Sequence, residues 1–214
     1  MQQVRAFLIS AALGGGACMA CADTEPEPPT KVLIAPDQAV AGASQAVWSQ
    51  RWWQWAFSFD DDESPVADRT GALCAARQSG DVWFLAGTYG SHRTERTCRV
   101  PAGKYLFFPL INYVQSMREG VPLDCGLLKN NLAAVVSDPS ALILEVDGVR
   151  FDKLKAHRLR TPKCFSIESG TPPDSAADGY YVMLAPLAPG EHLINFGGVL
   201  PRMAQAVTYR LIVK

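Results

Sequence analysis

From Asp81 to the end of the chain, short runs of β-branched and aromatic residues alternate with turns that contain Gly and Pro. The main runs are "DVWFLAGTYG", "TCRVPAGKYLFFPLIN", "ALILEVDGVRF", "YYVMLAPLAPGEHLINFGG" and "AVTYRLIVK". Such runs are typical of β-strands, and Asp147-Gly148 is a pair that closes two-residue hairpins. No helices alternate with them, as a parallel α/β sheet would require. We therefore predict a mainly β protein, an antiparallel β-sandwich of jelly-roll or immunoglobulin-like type.

Two segments break this pattern and predict helices. The stretch "WSQRWWQWAFSF" holds four of the five tryptophans, and its large apolar side chains follow helical spacing over 44–59, with Ser44 as the cap. The stripe that we expect to be buried consists of Trp48, Trp52, Trp55 and Phe59. The residues "LLKNNLAAVV" at 127–136 predict a second, shorter helix, which "SDP" ends.

The N-terminal residues 1–22 have the features of an export signal: Arg5, a short apolar run, and a small-x-small site that ends at Ala22. A lipoprotein signal, with Cys18 or Cys21 as the lipidated residue, is the alternative. Both interpretations place the protein outside the cytoplasm, either periplasmic or extracellular.

The rest of the chain divides into two parts. Residues 23–38 are rich in Pro and acidic residues at their start and predict a flexible spacer, and residues 39–214 predict a single domain. The formal charge of −1 gives no basic surface for nucleic acid. The apolar run of the signal is too short to span a bilayer, so we expect no transmembrane segment in the mature chain.

Cleavage after Ala22 leaves four cysteines, an even number for an oxidising compartment: Cys74, Cys98, Cys125 and Cys164. No two of them have Cys-x-x-Cys spacing and the three histidines are scattered, so we predict disulfides and no metal site. Four cysteines allow three pairings. Cys74 and Cys98 flank one strand-loop-strand unit, while Cys125 and Cys164 flank a helix and a hairpin, and we predict these two bridges.

Three motifs, "WWQWAFS", "CAARQSGDVWFLAGTYG" and "RTCRVPAGKYLFFPLIN", occur in this order between residues 44 and 113. In sequence and spacing they resemble the core of a widespread set of exported bacterial proteins that are described only as hypothetical. The resemblance implies an exported, disulfide-bonded domain, and it implies no activity.

The sequence contains no catalytic signature. Gly-x-Ser-x-Gly, Ser-x-x-Lys and His-Glu-x-x-His are all absent. The acidic run Asp60 to Glu63 lacks the alternating spacing of a Ca²⁺ loop, which favours a solvated loop over a cation site. His192 follows a Pro-Gly turn with no second histidine near it in sequence, which favours a strand position over a metal ligand. We expect no cofactor.

Trp53 is the candidate ligand platform, because it lies on the other side of the helix from the buried stripe, next to Gln50 and Gln54. An indole face beside two amides suits a sugar ring. The alternative is that Trp53 and Phe57 pack under a second layer.

The loop 68–81, "DRTGALCAARQSGD", supplies further candidates, namely Asp68, Gln78 and Asp81. The alternative for Asp68 is an Asx-type turn, and for Gln78 it is a strand cap. Together these residues favour a binding or envelope-associated module for a carbohydrate-like ligand, such as a glycan or another envelope component. A secreted hydrolase that uses carboxylates of this loop is the second hypothesis.

Overall fold

The computed structural model describes residues 32–90, 93–117 and 124–214. They form two β-sheets with two α-helices, so the predicted β-sandwich is confirmed. The predicted signal 1–22 and most of the predicted spacer 23–38 lie outside the described residues. No helix within the described ranges is long and apolar enough to cross a membrane.

In chain order the elements are β1 (Leu33–Ile34), α1 (Gln45–Ala56), β2 (Val82–Phe84), β3 (Arg93–Val100), β4 (Tyr105–Ser116), α2 (Cys125–Val136), β5 (Ala141–Val146), β6 (Val149–Arg150), a short 3-10 helix (Leu154–His157), β7 (Arg158–Arg160), β8 (Ser175–Leu184), β9 (Gly190–Leu200) and β10 (Met203–Val213). The first sheet has the order β1-β8-β4-β2, and β7 also pairs with β8. The second sheet has the order β3-β10-β9-β5-β6.

Most neighbouring strands are antiparallel, as predicted, but β2 pairs with β4 and β3 pairs with β10 in parallel. The turn at 101–104 therefore joins two strands of different sheets. The burial patterns give the reason: β3 alternates buried and exposed residues, whereas the first ten of the twelve residues of β4 are all buried or half-buried. A strand with two buried faces belongs in the middle layer, and a strand with one belongs in an outer layer.

The main core lies between the two sheets. The phenyl rings of Phe108 in β4 and Phe196 in β9 are 4.5 Å apart there, centroid to centroid. Other fully buried members of this cluster are Leu106, Ile111, Val182, Leu184, Leu144, Ile194 and Leu211. Burial of these apolar side chains is the main stabilising term of the sandwich.

Helix α1 covers the other face of the first sheet. Trp48, Trp52 and Trp55 are buried there with Phe107 and Tyr181, which confirms the predicted stripe for these tryptophans. The Ser44 side chain accepts a hydrogen bond from the Val47 amide at 3.4 Å, so the predicted cap is also confirmed.

The helix ends earlier than predicted, at Ala56, and Phe59 lies beyond it. The hydroxyl of Ser58 donates to the Trp55 carbonyl oxygen at 2.8 Å, a local bond that replaces a further helical one. Phe59 is half-buried and packs edge-on against Trp55, with 5.8 Å between ring centroids. The prediction that Phe59 lies in the helix was wrong, but the predicted packing of its ring beside the buried tryptophans is confirmed.

Both predicted disulfides are confirmed, Cys74 to Cys98 and Cys125 to Cys164. The second bridge ties the first residue of α2 to the segment before β8. Helix α2 begins two residues before the predicted range, because the Asp124 side chain accepts from the Leu127 amide at 2.8 Å and caps it.

The last part of the predicted spacer belongs to the sandwich. Leu33 and Ile34 pair with Leu184 and Met183, and Ile34 is buried beside the tryptophans of α1. Three consecutive apolar residues at 32–34 gain more from this burial than from solvent exposure. The ordered domain therefore starts before residue 39.

Candidate functional site

An open pocket of 220 Å³ lies where the end of α1 meets β4 and the segment before β3. Trp53 and Phe57 come from α1 and its cap, Asn112 and Tyr113 from β4, and Tyr89 from the loop that follows β2. No Asp, Glu, Lys, Arg or His is among its described lining residues. A site of this composition is suited to an uncharged ligand.

The rim of this aromatic pocket exposes rings that a folded protein normally buries. Tyr89 is 64% exposed and Phe57 is 44% exposed. The Tyr89 hydroxyl lies 3.3 Å from the hydroxyl of Ser64, which holds the tyrosine against the neighbouring loop. Clustered exposed aromatic rings at a concave surface mark binding sites, whereas isolated exposed apolar residues do not.

Trp53 forms an anchored wall of the pocket. Its indole nitrogen donates to the Tyr181 hydroxyl at 2.9 Å. Its ring packs edge-on against Trp52, with 5.0 Å between centroids, and tilted against Phe57, with 5.7 Å between centroids. The ring is half-buried, so it combines a rigid position with one accessible side.

Behind this wall, the hydroxyl of Tyr181 is also hydrogen-bonded to the side-chain amide of Asn112, at 3.1 Å. Asn112 is only 4% exposed, and Tyr181 is fully buried. Burial raises the pKa of Tyr181 far above its ordinary value, so the phenol is neutral. A Cβ on Gly179 would lie 2.5 Å from the Cβ of Asn112, so only glycine leaves room for this amide.

A second, more polar hollow of 690 Å³ adjoins the aromatic pocket, and Phe57 lines both. Its other side is the 166–170 loop, which Gln54 holds by donating to the Ser166 carbonyl oxygen at 2.9 Å. The Arg77 guanidinium lies over the Phe59 ring, 4.7 Å from its centroid. The two hollows form one surface with an apolar end and a polar end.

A buried arginine holds the loop that carries part of this surface. Arg96 of β3 is 2% exposed, and its guanidinium donates to the Asp68 and Ala86 carbonyl oxygens at 2.7 Å each. Further acceptors are the carbonyl oxygens of Val66 and Gly87 and the hydroxyl of Tyr209. Because Val66 lines the pocket and Gly87 lies two residues before Tyr89, Arg96 fixes one wall of the site.

Against known proteins, no family model matches the chain and no curated protein matches it. Among solved structures it is similar to PbICP-C in complex with falcipain-2, with 11% identity, coverage of 63% of this chain and 100% of that chain, and a TM-score of 0.27. It is also similar to the solution structure of amebosin, with 13% identity, coverage of 58% and 100%, and a TM-score of 0.20. Both TM-scores are too low to support an inference about function.

Asp68, a predicted site residue, is used inside its own loop. Its carboxylate accepts from the Thr70 amide at 2.8 Å and from the Leu73 amide at 2.9 Å, as the Asx-turn alternative anticipated. Burial raises the pKa of Asp68, but these bonds and the charge of Arg96 outweigh it, so the pKa lies below its ordinary value. The carboxylate is thus an ionised structural acceptor.

Gln78, Asp81, Gln50 and Gln54, which the sequence also proposed as site residues, lie outside the aromatic pocket as well. The Gln78 amide bonds to both backbone groups of Phe84, donating at 2.8 Å and accepting at 2.9 Å, and so holds strand β2. Asp81 is exposed, and its carbonyl oxygen accepts from the Tyr105 amide. Gln50 is half-exposed, and Gln54 lines the polar hollow. Of the predicted set, Trp53 lines the aromatic pocket.

Sequence reasoning missed Tyr89, Asn112 and Tyr113. Asn112 had a usable signal, because it is a lone amide inside the apolar run "YLFFPLINYV". Tyr89 had a weaker one, since it stands between Gly87 and Gly90 in a turn-forming segment.

His192 does not form a catalytic group. His192 Nδ1 lies 2.7 Å from Asp147 Oδ2, and Nε2 lies 2.8 Å from the Ala188 carbonyl oxygen. With both ring nitrogens engaged, no nitrogen is left to activate a nucleophile. Within the described residues, no three His, Cys, Asp or Glu side chains cluster as metal ligands.

Proposed function

We propose that this protein is an exported bacterial module that binds a carbohydrate-like ligand in the aromatic pocket. The observation that carries the proposal is the exposure of Tyr89 and Phe57 beside the anchored ring of Trp53, in a hollow without charged lining. Sugar rings present C–H faces that stack on aromatic rings and hydroxyls that need polar partners. Asn112 and Thr88 supply such partners in the same pocket.

The polar hollow beyond Phe57 supports an oligosaccharide rather than a single sugar. One ring occupies the 220 Å³ pocket, and the following units lie over Phe57 toward Gln54 and Arg77. The volume of the aromatic pocket is below the roughly 300–1,000 Å³ of sites for drug-sized ligands, which limits it to one ring-sized group.

Export is supported by the two disulfides, because such bonds persist in oxidising compartments and are rare in the cytosol. An exported protein shares its compartment with the glycans of the cell envelope, which are therefore candidate ligands.

The hydrolase hypothesis has less support. Asp68 is committed to its Asx turn, and no carboxylate is among the described residues that line the aromatic pocket. The two acids that line the polar hollow, Asp60 and Glu168, lie outside the 68–81 loop. Glycoside hydrolysis needs two acids that face the same bond.

Calorimetric titration of the purified protein with neutral oligosaccharides of two to six units tests the proposal. We expect affinity to rise with length and then to level off when the polar hollow is filled. Tyr89→Ala should weaken binding about tenfold, which corresponds to about 1.4 kcal/mol, and leave the melting temperature unchanged. Leu127→Ala is the matched control, because Leu127 is an exposed apolar residue of α2 outside the pocket. Unchanged affinity in Tyr89→Ala, or no binding of any oligosaccharide, contradicts the proposal.

A further inference from the structure

The hydroxyl of Tyr181 has two hydrogen-bond partners among the described residues. Both are side chains that line the aromatic pocket. The Trp53 indole, 2.9 Å away, can only donate. The structure places Nδ2 of the Asn112 amide 3.1 Å away as a donor, and a rotation of 180° about the last side-chain bond puts Oδ1 there as an acceptor instead.

The phenol proton decides between these two rotations. With Nδ2 of Asn112 facing Tyr181, as the structure places it, the hydroxyl receives two donors and its own proton has no acceptor among the described residues. Tyr181 is fully buried and neutral, so that proton stays in place and leaving it unpaired is destabilising. If Oδ1 faces Tyr181, the chain from Trp53 through Tyr181 to Asn112 has a donor and an acceptor at each step.

We infer that Asn112 accepts from Tyr181 through Oδ1 and directs its Nδ2 hydrogens to the pocket that it lines. The amide end that faces away from Tyr181 has no partner among the described residues, although Asn112 is more than nine-tenths buried. This amide end is not among the buried unpaired polar atoms of the described residues, so it is open to the pocket, where a ligand acceptor can meet it.

From this donor we propose that the pocket recognises the acetamido group of an N-acetylated amino sugar, an inference that rests on the proposed function above. The acetamido oxygen accepts from Asn112 Nδ2, and the methyl group packs against the apolar side chains of Ala56, Val66 and Met203. A free amino sugar carries a positive charge and finds no carboxylate among the described lining residues.

The rings at the rim favour a sugar over an acetylated peptide as the bearer of this group. Phe57 and Tyr89 present exposed aromatic faces beside the pocket, which suit the flat C–H face of a pyranose. Beyond Phe57, the polar hollow offers Gln54, Ser166 and Arg77 to the hydroxyls of the next unit.

Two trimers with the same β-1,4 linkage test this proposal: N,N′,N″-triacetylchitotriose and cellotriose, which differ only in the substituent at C2. In calorimetric titrations near pH 8, we expect the acetylated trimer to bind at least about tenfold more tightly. Asn112→Asp keeps the size of the side chain and the acceptor for Tyr181 but replaces the pocket-facing donor with an acceptor. We expect this variant to lose the preference, with the two trimers within about twofold of each other.

The comparison of the two trimers with the unaltered protein requires no variant, so it remains decisive if Asn112→Asp does not fold. Equal binding of both trimers overturns the acetamido assignment and leaves the proposed function in place. Binding of neither trimer, nor of any other oligosaccharide, overturns both. An N-acetyllysine peptide that binds as tightly as the acetylated trimer overturns the assignment to a sugar.

Discussion

The indole nitrogen of Trp53 donates to the phenol oxygen of Tyr181 across 2.9 Å, and this bond ties the last turn of α1 to the centre of β8. The neighbouring indole, that of Trp52, donates instead to the Leu85 carbonyl oxygen and is almost completely buried. Two adjacent tryptophans therefore have different roles: Trp52 fastens the helix to the loop after β2, and Trp53 connects the sheet to the pocket.

Substitution should separate these two roles. We expect Trp52→Ala to lower the free energy of unfolding by about 3–5 kcal/mol, because it leaves a large cavity in the core. Trp53→Ala should cost about 1–3 kcal/mol, since it removes a half-buried ring and one hydrogen bond, and it should abolish oligosaccharide binding. Urea denaturation measures both values. If the two variants lose equal stability, Trp53 is a core residue and the platform hypothesis is wrong.

Trp53→Phe separates the contribution of the aromatic face of Trp53 from that of its N–H group. It keeps an aromatic face and removes the N–H that donates to Tyr181. We expect a loss of about 1 kcal/mol in stability and partial retention of binding. Complete loss of binding at unchanged stability would mean that the indole nitrogen contacts the ligand itself.

The buried guanidinium of Arg96 should be as important for stability as a core tryptophan. Arg96→Met keeps much of the volume but leaves the carbonyl oxygens of Val66, Asp68, Ala86 and Gly87 without this donor. We expect a loss of more than about 3 kcal/mol in the free energy of unfolding, since each unsatisfied buried acceptor costs about 1–3 kcal/mol. Limited proteolysis should then cut within 66–90 before the rest of the domain. Arg99→Met, an exposed arginine of the same strand, is the control. Equal stability of the two variants would contradict this role.

Local chemistry explains which features the sequence could predict. Ser44 caps a helix through a bond to an amide three residues away, and Asp147-Gly148 forms its turn with positive φ at both residues. The cap and the turn depend on neighbours in the sequence, so the pattern alone was enough for them. The cysteine pairing joins residues that are 24 and 39 positions apart, and it followed from the secondary-structure elements that each pair flanks.

The missed features depend on partners far apart in the sequence. Arg96 lies in the polar run "RTERTCRV", and its acceptors are backbone carbonyl groups that only the folded loop brings together. The parallel pairing of Arg93 with Ala206 joins strands that are 113 residues apart in the sequence. Tyr89 and Asn112 meet Trp53 at one pocket only because α1 packs across the first sheet. No local pattern encodes these contacts.

The two disulfides should stabilise the domain independently. They close segments with sequence separations of 24 and 39 residues, so the chain-entropy model gives roughly 3–4 kcal/mol for each. We expect Cys74→Ala/Cys98→Ala and Cys125→Ala/Cys164→Ala each to lose that amount in urea denaturation. The losses should add within about 0.5 kcal/mol, because the first bridge lies in the main core and Cys164 packs against a separate cluster with Leu128 and Leu132. Strong non-additivity would show that the two bridges are energetically coupled, which would contradict their independence.

His157 should make the stability of the domain depend on pH. It ends the 3-10 helix, is buried, and its Nδ1 has no hydrogen-bond partner among the described residues. Burial lowers the pKa of His157 below its ordinary value of 6.5, because the charged form is poorly solvated there. As the pH falls below about 6.5, the unfolded chain takes up a proton that the folded chain does not, so the free energy of unfolding decreases.

The expected result is a free energy of unfolding that is constant from about pH 8 to 7 and falls from about pH 6.5 to 5, with a slope of at most about 1.4 kcal/mol per pH unit from this group, as measured by urea denaturation. His157→Phe should remove most of that fall, whereas His192→Gln should retain it. Asp68 does not contribute in this window, because its lowered pKa places its loss of charge below its ordinary value of 3.8. A fall of the same size in His157→Phe would assign the acid sensitivity to another group, and it would show that His157 takes up its proton without unfolding the domain.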